Sequence, residues 1–225
     1  MTARPCVQYA GRMTDGRDGR VERGNQTRRL VLGRTVDIAS VEGLEGLSLG
    51  RIATELKLSK SGVFALFGSK EELQLATVRA AVAVYVERVI APVRDLPPGP
   101  GRVWALCENW LGYSKERVFA GGCFFYGVSA EFDARSGPVR EAIAKARQDW
   151  VAYVERTLEE ARTAGGFDAS MDVGQVAFEL IALMEAANAQ SVLHDDDSAY
   201  DRAAKGILSR LRADVTDPGA LPRRP

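Results

Sequence analysis

The sequence predicts an all-α fold, and three observations carry that prediction. Apolar residues recur at spacings of three and four from residue 31 to residue 211. No sustained alternation of apolar and polar residues marks a strand. The nine prolines sit at segment ends: Pro92, the cluster Pro97, Pro98 and Pro100, Pro138, and the two termini. A hydrophobic content of 46% with 27% charged residues supplies a core without a disulfide or metal staple.

Residues 1–26 alternate glycine and arginine (Gly11-Arg12, Gly16-Arg17, Gly19-Arg20, Arg23-Gly24) with no apolar period, and read as a disordered basic tail. The first helix follows over residues 27–41, with a stripe of Val31, Leu32, Val36, Ile38 and Ala39, and Gly43 as its left-handed stop. Two short helices, 49–56 and 60–67, flank a break at Lys57-Leu58-Ser59, with Ser48 and Ser59 as their N-caps. A fourth helix starts at Ser69, where Glu72 completes a capping box, and runs through Leu73, Val78, Val82 and Val86 to Pro92. Four more follow: 102–119, 138–164 (stopped by Gly165-Gly166), 173–193 and 198–213, with an aromatic run from Cys123 to Phe132 between the first two. Residues 214–225, with three prolines, read as a disordered tail.

A net charge of zero conceals an asymmetry: residues 1–70 carry 12 Lys/Arg against 7 Asp/Glu, the remainder 18 against 23. A basic N-terminal part suits a polyanion, and the zero total excludes a DNA-packaging protein. The two short helices cannot persist alone, because isolated helices under about 12 residues are marginal. Packed on the first helix through Ile52, Leu56, Leu58, Val63 and Phe67, they have the spacing of a helix-turn-helix.

At these residues the chain resembles the TetR family of bacterial transcriptional regulators. The match spans residues 31–75: Gly43, Leu47-Ser48, Ile52-Ala53, Leu58-Ser59, the aromatic pair Phe64 and Phe67, and Ser69-Lys70-Glu71-Glu72-Leu73. Three positions depart from the family pattern. Lys57 replaces the usual turn glycine, Phe64 a frequent tyrosine, and Leu66 a usual histidine. The resemblance implies a DNA-binding domain over residues 27–72 and a helical ligand-binding and dimerisation domain over 73–213. Candidate DNA contacts are Ser48, Lys57, Ser59, Lys60, Ser61, Gly62, Phe64 and Lys70, with Arg28, Arg29, Arg51 and Thr54 as weaker ones.

The expected partners are a palindromic double-stranded operator, a small apolar or aromatic effector, and a second copy of the chain. Trp104, Cys107, Trp110, Leu111, Phe124, Phe125, Tyr126, Phe132 and Trp150 are the candidate cavity lining. The resemblance places a four-helix dimer interface on the two long helices, with Trp150, Val154, Leu158, Ala177, Leu180, Ile181 and Met184 as its candidates. The helix from Ser69 links both domains and is the expected carrier of the effector signal.

Rival readings fare worse. Three cysteines (Cys6, Cys107, Cys123) without a CxxC pair fit a reducing cytoplasm, and the alternative function is a redox-sensing regulator using Cys107 or Cys123. No run of 18 apolar residues predicts a membrane partner. The single histidine, His194, beside Asp195, Asp196 and Asp197 reads as a solvated loop with helix-capping aspartates. No catalytic nucleophile–base pair, metal site or cofactor site is assigned.

Overall fold

A computed structural model describes residues 16–224, so Cys6 and residues 1–15 of the expected tail lie outside the described residues. Among the described residues there is no β-strand, only an isolated bridge between Phe167 and Val215. The helices are α1 (Gly16–Glu42), α2 (Leu49–Glu55), α3 (Lys60–Phe67), α4 (Lys70–Tyr85), α5 (Pro100–Lys115), α6 (Phe124–Phe132), α7 (Pro138–Thr163), α8 (Val173–His194) and α9 (Ser198–Asp214).

The first correction concerns residues 16–26, which are helical and continuous with α1. Once Val31, Val36 and Ile38 are packed, each further residue adds a hydrogen bond without a new nucleation cost. No proline interrupts that extension. Gly43 then stops the helix at φ 79°. Three serines cap as expected: Ser48, Ser59 and Ser69 accept from the N–H of Arg51, Gly62 and Glu72 at 3.1, 3.0 and 3.1 Å. Only half of the expected capping box forms, because the Ser69 N–H donates to the Phe67 carbonyl instead.

Nor does α4 run evenly to its proline. Residues Val86–Ile90 form a π-helical turn, in which the Ala91 N–H donates to the Val86 carbonyl, and a 3₁₀ turn at Ala91–Val93 carries Pro92. Such π segments recur at functional sites. Helix α5 ends at Lys115, four residues before the expected Phe119, because Arg117 adopts a left-handed φ of 52°. Arg117 is held there by bonds to the Ser114 carbonyl, the Tyr200 hydroxyl and the Ser191 hydroxyl.

Around α5 the other helices of the larger domain assemble one core. Trp110, Phe119, Phe124, Leu158, Phe167, Leu180 and Met184 are fully buried in it. By length and composition α8 could cross a bilayer, a departure from the sequence expectation. Yet Val176, Ala177, Leu180, Ile181, Met184 and Ala187 are packed inside the chain's own core.

The C-terminal segment is the second correction. Residues 214–224 are pinned rather than loose. The Asp168 N–H donates to Asp214 O at 2.7 Å, the Thr216 N–H to Gly166 O at 3.1 Å, and Asp217 caps a 3₁₀ turn at Gly219 N, 2.8 Å away. These bonds deliver Leu221 into the core at 4% exposure. One buried leucine outweighs the turn-forming prolines. Leu221→Ala is expected to lower unfolding free energy by about 2 kcal/mol in urea titration; an unchanged midpoint would return the segment to a solvated tail.

Candidate DNA-binding face and ligand cavity

Helices α2 and α3 are joined by a four-residue turn, 56–59, whose Lys57 has φ 54°, a left-handed conformation costing roughly 1 kcal/mol outside glycine. The Leu58 N–H closes this turn on the Ala53 carbonyl at 2.8 Å. Ile52, Ala53, Val63 and Phe67 face inward. What remains outward on α3 and its approach is Ser48, Lys57, Ser59, Lys60, Ser61, Gly62 and Phe64. Phe64 is 57% exposed, so it belongs to the surface and not to the core. Lys57 and Lys60 make no ion pair among the described residues. Gly62 leaves room for the Ser59 cap, whose Oγ would lie 2.8 Å from any added Cβ.

Other basic candidates are already engaged. Arg51 is gripped by Glu42 (2.5 and 2.7 Å) and Glu55 (2.8 Å). Those bonds push its already high pKa up and hold the Glu42 carboxyl below its usual range. Arg28 donates to the Leu66 carbonyl at 2.7 Å and lies over the Phe67 ring, pinning α1 to α3. Lys70 bonds the carbonyl and carboxylate of Glu45 at 2.8 and 3.0 Å, and so braces the loop before α2. That contact, more than any other, holds the Glu45 carboxyl below its usual range. Thr54 turns back to the Gly50 carbonyl.

This head is joined to the larger domain by a carboxylate. Glu131, near the end of α6, accepts from the Leu44 and Glu45 amides, one on each oxygen, both at 2.8 Å. Gly43 makes the approach possible, because a Cβ there would sit 2.5 Å from the Glu131 carboxylate. Three further bonds close the same joint: Arg135 to Glu45 at 3.2 Å, Gln74 to Leu44 O at 2.9 Å, and the Gly121 N–H to Ser40 Oγ at 3.1 Å. In the sequence Glu131 reads as an ordinary surface or cap residue. It does cap, but across 87 residues of sequence, which no local pattern reveals.

The other end of α6 is equally fixed. Asn188 of α8 accepts from the Cys123 N–H and from Ser114 Oγ, each at 2.8 Å. Between these anchors α6 borders a cavity of about 440 Å³, within the size range of small-molecule sites. Val78, Val82, Tyr85, Val86 and Ile90 form one wall and Trp110, Cys123 and Phe125 the floor. Ala142, Ala146 and Trp150 form the opposite wall, with Arg79, Lys145, Arg147, Asp149 and Glu185 around them. Arg147 and Glu185 pair at 2.8 Å across α7 and α8, and Lys145 pairs with Asp149.

Of the nine expected lining residues, Trp110, Phe125 and Trp150 border this cavity. Trp104, Cys107, Leu111, Phe124 and Phe132 do not; they are buried against other helices. Tyr126 turns outward. A helix gives a cavity one face, and neighbours 100° away go elsewhere. Val78, Val82, Tyr85 and Cys123 were missed as lining, since their spacing reads as ordinary core. Burial raises both thiols, Cys107 to about 12, so neither favours the thiolate that redox sensing needs.

The dimer candidates need correction too. Val154, Leu158, Ala177, Leu180 and Met184 are consumed by the chain's own core and Trp150 borders the cavity, while Ile181, largely buried, reaches the groove between α7 and α8. The encircling apolar pattern of α8 conceals which side faces inward. Its outward stripe is Phe178, Ala182, Ala186 and Leu193, with Phe178 70% exposed. Beside it runs a groove lined by Val151 and Glu155 of α7 together with Phe178 and Ala182.

A helix-turn-helix head on a helical domain with a cavity is the arrangement that the comparisons with known proteins also find. Residues 99–207 match the family described as tetracyclin repressor-like, C-terminal domain. That match covers the larger helical domain, and the fold of the whole described chain is shared with solved TetR-family regulators.

Among solved structures, a TetR transcriptional regulator from Chloroflexus aurantiacus superposes with a TM-score of 0.80 at 21% identity, covering 86% of this chain and 98% of that one. A regulator from Saccharomonospora viridis in complex with choline gives 0.71 at 19%, over 86% and 100%. AibR in complex with isovaleryl coenzyme A and operator DNA gives 0.62 at 18%, over 80% and 95%. A search of curated proteins by sequence finds no match.

Glu131→Ala removes the acceptor of two amides. Hydrogen bonds to charged groups contribute about 1.5–3 kcal/mol, so a loss of roughly 2 kcal/mol in urea unfolding is expected. An unaltered midpoint would show that water replaces the carboxylate at no cost.

Proposed function

We propose that the chain is a dimeric, ligand-responsive repressor that binds a palindromic operator. The observation that carries this reading is a head with an exposed, lysine-bearing α3 surface, tied by Glu131 to α6, which itself borders the cavity. Lys57 and Lys60, with the capped N-termini at Ser48 and Ser59, meet phosphate. Ser61, Gly62 and Phe64 lie against base edges, Phe64 offering apolar contact to a thymine methyl. Lys70 acts on DNA indirectly, by holding the loop before α2.

A small apolar or aromatic effector enters the cavity and favours a dimer whose recognition helices no longer fit two successive half-sites. That requires different effector affinity for the two states, a coupling of about 1–3 kcal/mol. Two helices carry the signal. The expected one, α4, contributes Val78, Val82 and Tyr85 to the cavity wall. The second is α6, which contributes Phe125 to the cavity floor and holds the head through Glu131. The homodimer forms on the outward stripe Phe178, Ala182 and Ala186 with Val151 of α7. Small residues there let two copies approach closely. A reducing cytoplasm is the proposed location.

Selection of DNA fragments bound by the full chain tests this reading. A palindromic site is expected, with Lys60→Ala weakening binding and lowering the salt slope by about one per protomer. Phe178→Glu is expected to give a folded monomer that loses the palindrome. No selected sequence at all, from protein refolded to strip any effector, would contradict a sequence-specific regulator.

A further inference from the structure

Tyr85 is the last α-helical residue before the π turn, and it is 93% shielded from solvent, at 7% exposure. Its ring meets Phe125 at 5.7 Å and Trp150 at 5.3 Å, both edge to face. All three line the cavity. The Tyr85 hydroxyl has no hydrogen-bond partner. Leaving a buried hydroxyl unsatisfied costs about 1–3 kcal/mol, so the position is expensive unless an occupant supplies what is missing.

What is missing is an acceptor. Cys123, Tyr113 and Trp110 are the polar side chains nearest in effect to this hydroxyl, and none of them, the Tyr113 hydroxyl included, reaches hydrogen-bond geometry with it. An indole N–H only donates, and a thiol accepts weakly. Two more buried tyrosine hydroxyls, Tyr113 and Tyr153, are also unpartnered, but neither borders the cavity. Charge narrows the class further. The negative groups Glu185 and Asp149 are already matched by Arg147 and Lys145. Arg79 stands at the cavity with no ion pair among the described residues. The lining therefore holds an excess of positive charge and offers a cation no free carboxylate, although its aromatic walls alone would suit one.

We infer that the cavity takes a non-cationic ring compound bearing a carbonyl acceptor, with the Tyr85 hydroxyl donating to that carbonyl and Phe125, Trp150 and the valines of α4 enclosing the rings. The inference rests on the reading of this cavity as an effector site, and the test separates the two. Tyr85 is then a specificity-determining residue. It discriminates a ketone from its hydrocarbon isostere and contributes little to the affinity of the ring system itself.

Isothermal titration of the full chain with 2-acetylnaphthalene, 2-ethylnaphthalene and choline provides the test. For the wild type, the ketone is expected to bind about tenfold tighter than the hydrocarbon, and choline weakest. In Tyr85→Phe the ketone preference should vanish while the hydrocarbon dissociation constant stays the same. The melting temperature of the unliganded variant should hold or rise, because an unsatisfied hydroxyl has been removed. Equal binding of the two naphthalenes by the wild type, or a preference that survives in Tyr85→Phe, would overturn the role of Tyr85 and leave the cavity an effector site. A melting temperature several degrees lower would show that the hydroxyl has a partner within the protein and overturn the role equally. Tighter binding of choline would overturn the non-cationic class. Failure of both naphthalenes to bind would overturn this inference together with the effector reading on which it rests.

Discussion

The carboxylate of Glu131 holds together two bodies that otherwise touch through few polar groups. It lies at the end of a nine-residue helix and accepts two amides from the loop between α1 and α2. Several local features follow from it. Gly43 must be glycine both to turn the chain at φ 79° and to admit the carboxylate. Glu45 must be neutralised in turn, by Lys70 and Arg135. Lys70 is thereby drawn off any surface it would otherwise share with α3. The position of the recognition surface is thus set from the larger domain.

Helix α6 can transmit position because both of its ends are tied. At its start, Asn188 fixes the Cys123 amide and joins Ser114, Tyr200, Arg117, Ser191 and Asp197 in one polar network linking α5, α8 and α9. Between the ties, Phe125 borders the cavity. In the reading proposed above, such an element, held at both ends and touched by an occupant in the middle, converts a shift of side chains into a shift of the head. In the proposed regulator α4 does the same along a second line, with its π turn setting the cavity wall where Tyr85 stands. Two attachments make the orientation of the head a property of the whole domain.

Much of this was legible in the sequence, for identifiable reasons. Serine caps, the glycine stop and the left-handed Lys57 are local, so each could be read from a few residues. The resemblance over residues 31–75 located the helix-turn-helix for the same reason. Long-range choices were not legible. An apolar stripe on α8 announces burial but not the partner, and Val154, Leu158, Ala177, Leu180 and Met184, expected between two copies, are core. The aromatic run from Cys123 to Phe132 was recognised as a cavity wall, yet only Cys123 and Phe125 border the space. Glu131 looks like any surface glutamate until the fold brings residue 44 beside it. Cys107 and Cys123 kept a redox alternative open in the sequence, and burial, which raises both thiols, argues against it. Leu221 was hidden among prolines that suggested disorder.

The central claim is that the state of the cavity is felt at the DNA-binding head through α6. Amide hydrogen exchange at Leu44 and Glu45, in the wild type and in Ala146→Phe, tests it without knowledge of the effector, because the added ring fills the cavity from α7. The account predicts faster exchange at these two amides when the cavity is filled, with the Leu58 amide inside the helix-turn-helix unchanged. Identical exchange at Leu44 and Glu45 in a folded Ala146→Phe protein would contradict it.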